Sequence, residues 1–282
     1  MRRMKLLFIS LLLIMGIFSF SFVMNDFTQP SAFSRAIGGA IYPLYEGAQS
    51  ITYNPAGLMN YKNEIFFSHT EHFLGVIRNE FLSSSVEIGH FSLGGSVQYT
   101  YPIDQLAYDQ YKFTFCTAYG WKKNSIGFEF NTWKGSDIKE GISLDAGMIL
   151  NYMNVNFALT IKNIFAGITW ESTPLSEESY SPEVIVSGAY FTSKFVTSAY
   201  LNLNSAEMGI GAIFPITDVF KALGGYKMVF GKNFSKELSV GVRTSYYNFI
   251  LDLSYVFKDA LRYGDAISPF YVSLTYDFEK GM

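Results

Sequence analysis

Only 16% of the 282 residues are charged, against about 25% in soluble domains, while 49% are hydrophobic and 18% are aromatic, which argues against an ordinary soluble protein. The formal net charge is −3 and the basic residues form no patch, which argues against a nucleic-acid partner. Beyond the N-terminus no stretch of about 18 residues lacks charges and turn signals, so a helical membrane protein is disfavoured and a membrane β-barrel remains.

The N-terminus has the pattern of a secretory signal peptide. Residues 1–5 form a basic region with three positive charges, and an apolar stretch follows at residues 6–23. Ser19 and Ser21 provide a Ser-x-Ser cleavage site, so we predict that residues 1–21 are removed on export. The alternative is a retained membrane anchor, although this apolar stretch is barely long enough to span a bilayer.

Residues 22–63 lack a strand pattern and are dominated by small residues. Such a segment can pack tightly in a confined space. Proline fixes φ and lacks an N–H donor, and an asparagine side chain can cap a turn, so an Asn-Pro pair predicts a tight turn here. The residues that stand out are Gly38, Gly39 and Gly47, followed by the run Asn54-Pro55-Ala56-Gly57-Leu58 just before the first predicted strand.

From residue 64 onward the hydrophobic pattern has the period of two that is typical of β-strands. In residues 248–258, for example, Leu251 and Leu253 alternate with Asp252 and Ser254. The pattern predicts fourteen strands, an even number that fits a closed bacterial barrel. The predicted strands are residues 64–73, 80–88, 90–101, 111–121, 124–134, 141–152, 155–162, 183–192, 195–203, 206–214, 223–232, 237–246, 248–258 and 269–279.

A β-sandwich would show the same alternation, but its polar face would need more charge to cover a water-exposed surface. In a transmembrane barrel the apolar face contacts lipid and the polar face lines the lumen. The predicted connections alternate between short and long, with residues 163–182 as the main surface loop and residues 215–222 as an exception among the short turns. The charges expected in the lumen are Lys112, Glu129, Asp145, Lys162, Arg243, Asp252 and Asp277.

The three histidines are the candidates for a catalytic or metal site. His69 and His72 would point to opposite faces of a strand, and the adjacent Ser68 and His69 also face apart, so neither a metal pair nor a Ser-His pair follows. The single cysteine, Cys116, is expected to be a small buried side chain and cannot form an internal disulfide. We therefore predict no enzymatic activity, no metal and no cofactor.

The order of these features resembles the FadL-like and PorV-like outer-membrane proteins. The resemblance rests on the signal peptide, on Arg35 followed by Gly38-Gly39-Ala40, and on Asn54-Pro55-Ala56-Gly57-Leu58 ahead of the first strand. It implies an all-β, transmembrane antiparallel barrel of about fourteen strands at residues 64–282, with residues 22–63 as a hatch inside the lumen. The last strand also resembles the C-terminal signal that the barrel-assembly machinery reads.

The resemblance further implies a transport function. In FadL-like transporters the Asn-Pro-Ala motif lies close to a kink in the third strand, where hydrophobic substrates leave sideways. Asn54, Pro55 and Ala56 match that motif, and Gly94 and Gly95 would form a bulge and a lateral opening in the third strand. We therefore expect passive uptake of fatty-acid-like, hydrophobic small molecules across the outer membrane by hatch gating.

A second interpretation stays open, because the chain is short and its predicted outer loops are small. PorV-like barrels share the hatch motif, and some serve in secretion or surface attachment. In that case residues 163–182 would contact secretion-system or surface-scaffold proteins. Outer-membrane lipid and the barrel-assembly machinery are expected partners under both interpretations.

Overall fold

A computed structural model describes residues 30–59, 62–72, 77–102, 109–136, 138–170, 177–179, 181–230, 234–258 and 270–278. The predicted signal peptide, residues 1–21, and the first part of the predicted hatch lie outside these residues. Among the described residues, no helix is long and apolar enough to cross a membrane.

The described chain begins with short helical elements and continues as strands. The helical elements are α1 (Ala32–Ala36) and two 3-10 turns, Gly47–Ser50 and Pro55–Leu58. Each of the fourteen predicted strands overlaps an observed strand, and β8 is additional. The strands are β1 (Glu64–His72), β2 (Ile77–Ile88), β3 (Phe91–Pro102), β4 (Gln110–Trp121), β5 (Asn124–Gly135), β6 (Ile138–Tyr152), β7 (Val155–Trp170), β8 (Glu177–Ser179), β9 (Glu183–Phe191), β10 (Val196–Asn202), β11 (Glu207–Pro215), β12 (Phe220–Val229), β13 (Ser235–Tyr246), β14 (Phe249–Lys258) and β15 (Phe270–Asp277).

Fourteen of the described strands form a closed antiparallel barrel in which each strand pairs with two neighbours. The ring closes at a seam between β1 and β15, where Glu64 lies opposite Asp277 and Thr70 lies opposite Tyr271. β8 lies outside the ring and pairs with three residues of β7. Because each strand of the ring has both neighbours, none is left as an open edge. The predicted all-β, fourteen-stranded barrel is confirmed.

The two ends of the barrel differ in the length of their connections. At one end, which we call the short-turn end, each connection holds two to four residues, as at residues 122–123 and 153–154. At the opposite, long-loop end, β7 and β9 are separated by residues 171–182. The predicted long turn at residues 215–222 shortens to residues 216–219, because β11 and β12 extend into it.

Side chains alternate between the two faces of the wall, as predicted. In β4, Phe113 and Phe115 are exposed on the outer face, whereas Lys112 and Cys116 are buried on the inner face. An exposed apolar band of this extent is rare on soluble monomers and typical of barrels that contact lipid. Other exposed members of the band are Phe67, Leu82, Val97, Phe128, Val186, Ile210, Leu238 and Phe257. The predicted lumen charges Lys112, Glu129, Asp145, Arg243, Asp252 and Asp277 are buried, and Lys162 is half-buried.

The hairpin of β6 and β7 departs from the predicted bounds. β7 runs to Trp170, so the prediction that a surface loop begins at residue 163 is wrong. The pairing of the two strands shifts register beside Asp145, which accepts the N–H of Asn163 at 2.7 Å. Asn163 has a φ of 55°, which asparagine tolerates better than most residues. This bulge adds two residues to β7 and leaves Ile164 exposed, so it interrupts the alternation before Phe165, which is exposed, and Ile168, which is buried.

Candidate functional site

Residues 30–59, which we call the N-terminal segment, are almost completely buried against the inner face of the wall. The largest apolar cluster joins Phe33 and Ile37 of the segment to Tyr200 of β10 and Leu223 of β12. Through α1 and the two 3-10 turns, the segment also contacts β1 to β6 and β12 to β15. It therefore touches the wall around most of its circumference.

The N-terminal segment begins at the seam of the barrel. The hydroxyl of Ser68 on β1 donates to the carbonyl of Pro30. The N–H of Ala32 donates to the hydroxyl oxygen of Ser273 on β15 at 3.3 Å, and Ala32 also packs against Tyr271 of β15. The first residues of the segment are thus bonded to both strands of the seam.

Glycines allow the segment to turn sharply after α1. Gly38, Gly39 and Gly47 have φ values of 63°, 81° and 58°, a conformation that other residues rarely adopt. At Gly38 the wall also leaves no room for a side chain, since a Cβ there would lie 2.8 Å from backbone atoms of Tyr226. The three glycines picked out in the sequence therefore all adopt a backbone conformation that glycine favours.

Asn54 holds the turn that follows it with both ends of its side-chain amide. Its Oδ1 accepts the N–H of Ala56 at 3.1 Å, and its Nδ2 donates to the carbonyl of Tyr42 at 2.7 Å. Pro55 occupies the first position of the 3-10 turn, where its missing N–H costs no hydrogen bond. Gly57 completes this buried, capped turn.

Two wall glycines, which we call the glycine seat, receive the turn. A Cβ at Gly147 of β6 would lie 1.9 Å from Oδ1 of Asn54, and a Cβ at Gly127 of β5 would lie 2.4 Å from the carbonyl carbon of Pro55. The backbone of the turn can approach the wall this closely only because both positions lack a side chain. Sequence reasoning missed the seat, although both glycines fall on the inward phase of their strands.

β3 is continuous at the two glycines for which a bulge is predicted. Gly94 pairs with Ser85 of β2 and Cys116 of β4, and Gly95 continues both ladders without a register shift in these described strands. The predicted bulge at Gly94 and Gly95 is therefore wrong. Gly94 instead gives room to the N-terminal segment, because a Cβ there would lie 2.8 Å from a methyl group of Ile51.

Arg243 of β13 connects the segment to the wall. Its guanidinium donates to the carboxylate of Asp252 on β14 at 2.6 and 3.1 Å and to the carboxylate of Glu46 in the segment at 2.8 Å. The same group lies 3.6 Å from the ring centroid of Phe33. Bidentate, charge-assisted hydrogen bonds are among the strongest in proteins. We call Arg243, Asp252 and Glu46 the arginine tie.

A second group of lumen charges holds Thr52. The N–H of Thr52 donates to Oε2 of Glu129 at 3.2 Å, and the ammonium of Lys162 donates to the carbonyl of Thr52. Nζ of Lys112 lies 3.7 Å from Glu129. These charges, predicted to line the lumen, thus bond the wall to the N-terminal segment.

The histidines and the cysteine do not come together. His69 lies on the outer face, with its Nδ1 2.8 Å from Oε1 of Glu80, and the side chain of His72 lies outside the described atoms. Cys116 is fully buried, as predicted, with its Sγ 3.9 Å from the carbonyl oxygen of Pro55. Among the described residues, no cluster of histidine, cysteine and acidic side chains is arranged to hold a metal ion.

The sequence matches no protein-family model and no curated protein. Its fold, however, matches solved structures. The toluene transporter TbuX of Ralstonia pickettii is 11% identical, with a TM-score of 0.63 over 91% of this chain and 100% of the other. The CymD monoaromatic hydrocarbon channel is 12% identical, with a TM-score of 0.62 over 90% and 98%. A FadL homologue of Pseudomonas aeruginosa is 9% identical, with a TM-score of 0.59 over 89% and 98%. The chain has the FadL-like fold.

At these identities the similarity concerns the fold, and it agrees with the resemblance that the Asn-Pro-Ala-Gly-Leu motif indicates. The first two of these FadL-like neighbours are a transporter and a channel, not enzymes.

In this FadL-like barrel, replacing Asn54 with alanine is expected to lower the free energy of unfolding by about 1–3 kcal/mol. The change leaves the carbonyl of Tyr42 and the N–H of Ala56 without their partner in buried surroundings. Urea denaturation in lipid vesicles, followed by tryptophan fluorescence, measures the loss. Asn154→Ala in an exposed short turn is the control and should cost less than about 0.5 kcal/mol. Equal losses for the two variants would contradict the capping role of Asn54.

Proposed function

We propose that the protein is an outer-membrane channel for the passive uptake of hydrophobic small molecules. The observation that carries the proposal is the Asn54-Pro55-Ala56 turn, which sits on the glycine seat inside a FadL-like barrel. The toluene transporter and the monoaromatic hydrocarbon channel with the same fold support the class of ligand. The exposed apolar band supports a location in the outer membrane, reached after removal of residues 1–21.

In this proposal residues 22–63 are the hatch and residues 64–282 are the barrel. The hatch blocks the lumen while the glycine seat and the arginine tie hold it. Its displacement uncovers the apolar side chains among the polar residues of the inner wall, such as Ile185, Tyr200 and Leu223. A sideways exit at Gly94 and Gly95 would require β3 to separate locally from a neighbour, because its ladders are continuous.

The proposal also orients the barrel. Short turns lie on the periplasmic side of bacterial barrels and longer loops lie outside. Near the long-loop end, Tyr99 stacks on Tyr101 and Tyr111 with ring centroids 4.7 and 4.3 Å apart, as suits an aromatic belt at the lipid headgroups. Expected partners are outer-membrane lipid and the barrel-assembly machinery, which would read β15.

Uptake by intact cells tests the proposal. Bacteria that carry the protein in their outer membrane should take up radiolabelled toluene faster than cells with an empty vector. Mass spectrometry of the purified protein should find a specific bound hydrophobic molecule whose occupancy differs in an Asn54→Ala, Pro55→Ala variant. Equal uptake in both strains, together with an empty barrel in both proteins, would overturn the proposal.

The height of the wall favours a second candidate function. β6 and β7 have 15 and 16 residues, whereas β10, two strands along the ring from β7, has 7, so the wall is taller at the β6–β7 hairpin. We propose as the alternative that this hairpin, with β8 and the rest of residues 163–182, contacts secretion-system or surface-scaffold proteins. Cross-linking from the hairpin to such a protein, without toluene uptake, would favour this alternative.

A further inference from the structure

A pocket of about 320 Å³ opens at the short-turn end of the barrel. It lies between the N-terminal segment and the turns at residues 122–123 and 153–154. This volume falls at the lower end of the range for small-molecule sites in proteins. The pocket is therefore large enough for a small ligand.

The lining of the pocket is divided between apolar and cationic side chains. Tyr45, Met59 and Phe191 provide apolar and aromatic surface, and the only charged residues among the described lining are Lys122 and Lys123, both of which are exposed. None of the described residues that line the pocket is acidic. An apolar wall beside two cations, without a carboxylate, suits a ligand that has a hydrocarbon part and a single negative charge.

The pocket is built jointly by the segment and by the wall. The hydroxyl of Tyr45 in the segment donates to the carbonyl of Lys123 at 2.9 Å. Nδ2 of Asn156 on β7, which also lines the pocket, donates to the carbonyl of Pro43 in the segment at 2.9 Å. Tyr45 also packs against the buried cluster that contains Ala56 of the Asn-Pro-Ala turn. A ligand here would contact the segment, the wall and the neighbourhood of the turn at once.

We infer that this pocket binds an amphipathic monoanion at the periplasmic mouth of the channel. Its negative group would lie against Lys122 and Lys123, and its hydrocarbon part against Tyr45, Met59 and Phe191. This inference rests on the proposed function. It adds a binding site beneath the hatch that prefers negatively charged ligands, a preference that the passage of neutral hydrocarbons does not require.

Photolabelling locates the site. Decanoate with a diazirine at the end of its chain is photolysed with the mature full-length protein in lipid nanodiscs, and the labelled residues are mapped by mass spectrometry. Label should appear on Tyr45, Met59 or Phe191 and should be displaced by unlabelled decanoate more readily than by 1-decanol. Label confined to other residues, or equal displacement by the acid and the alcohol, would overturn the inference.

Charge reversal tests the role of the lysines. A Lys122→Glu, Lys123→Glu variant should bind decanoate about tenfold more weakly. Lys194→Glu, in another short turn outside the pocket, is the matched control and should bind decanoate like the unaltered protein. Heat-modifiable mobility on gels confirms that each variant is folded. Unchanged affinity in the double variant would overturn the inference.

The toluene uptake experiment separates this inference from the proposed function. Uptake of neutral toluene without decanoate labelling in the pocket would overturn the anion site and leave the channel in place. Labelling in the pocket without toluene uptake would support the site and contradict the channel.

Discussion

Replacing Arg243 with methionine is expected to destabilise the barrel by about 3–5 kcal/mol, which is the usual cost of removing one partner from a buried ion pair. Asp252 has a fully buried side chain, and it would lose both the positive charge and the two hydrogen bonds that now compensate its carboxylate. Glu46 would lose its partner on the wall, and Phe33 would lose the guanidinium that lies over its ring.

Urea titration in lipid vesicles measures this loss, and Lys236→Met is the matched control. Lys236 lies on the same strand, but its side chain is exposed and packs over Phe234. The control should change the free energy of unfolding by less than about 1 kcal/mol. If Arg243→Met were as mild as the control, the arginine tie would not hold the N-terminal segment to the wall.

Placing an alanine at Gly147 is expected to displace the Asn54-Pro55 turn and to raise hydrocarbon uptake. The new Cβ would lie 1.9 Å from Oδ1 of Asn54 and 3.0 Å from Cδ of Pro55, so the turn must leave its seat or the strand must shift. β6 is hydrogen-bonded to β5 and β7, whereas the turn rests on the wall through fewer bonds, so the turn should move. Overpacking of this kind costs about 1–3 kcal/mol of stability.

Toluene uptake and urea stability should both be measured for Gly147→Ala. Gly224→Ala is the matched control, because a Cβ at this wall glycine would meet nothing within 4 Å. Faster uptake and lower stability for Gly147→Ala alone would support a hatch that rests on the glycine seat. Lower stability with unchanged uptake would show that the turn packs on the glycine seat but does not gate the channel.

The strands of the wall could be predicted from the sequence because successive side chains alternate between an apolar outer face and a largely polar inner face. In β15, Tyr271 and Ser273 are buried while Phe270 and Leu274 are exposed, as the alternation requires. The alternation does not predict the full length of β7, because the bulge at Asn163 inserts two extra residues while the strand continues. A pattern with a fixed period of two is interrupted by such an insertion, so the strand looks as if it ends there.

The sequence predicts the turn of the candidate site but not the wall residues that receive it. The Asn54-Pro55-Ala56 run was found because its residue types specify a capped turn. Its partners Gly127 and Gly147 lie far along the chain, and only the pairing of β5 with β6 brings them side by side. The pair Gly94-Gly95 predicts weak pairing of β3 with its neighbouring strands. In the structure, Gly94 instead leaves room for the side chain of Ile51.

The contacts of the first residues of the N-terminal segment bear on how the barrel assembles. β1 and β15 are about two hundred residues apart, so joining them is the pairing with the largest loop-closure entropy in the ring. Ser68 and Ser273 stand on opposite sides of that junction. Ser68 donates to the carbonyl of Pro30, and Ser273 accepts the N–H of Ala32. In the folded barrel the start of the segment therefore links, from inside the lumen, the two strands whose pairing closes the ring.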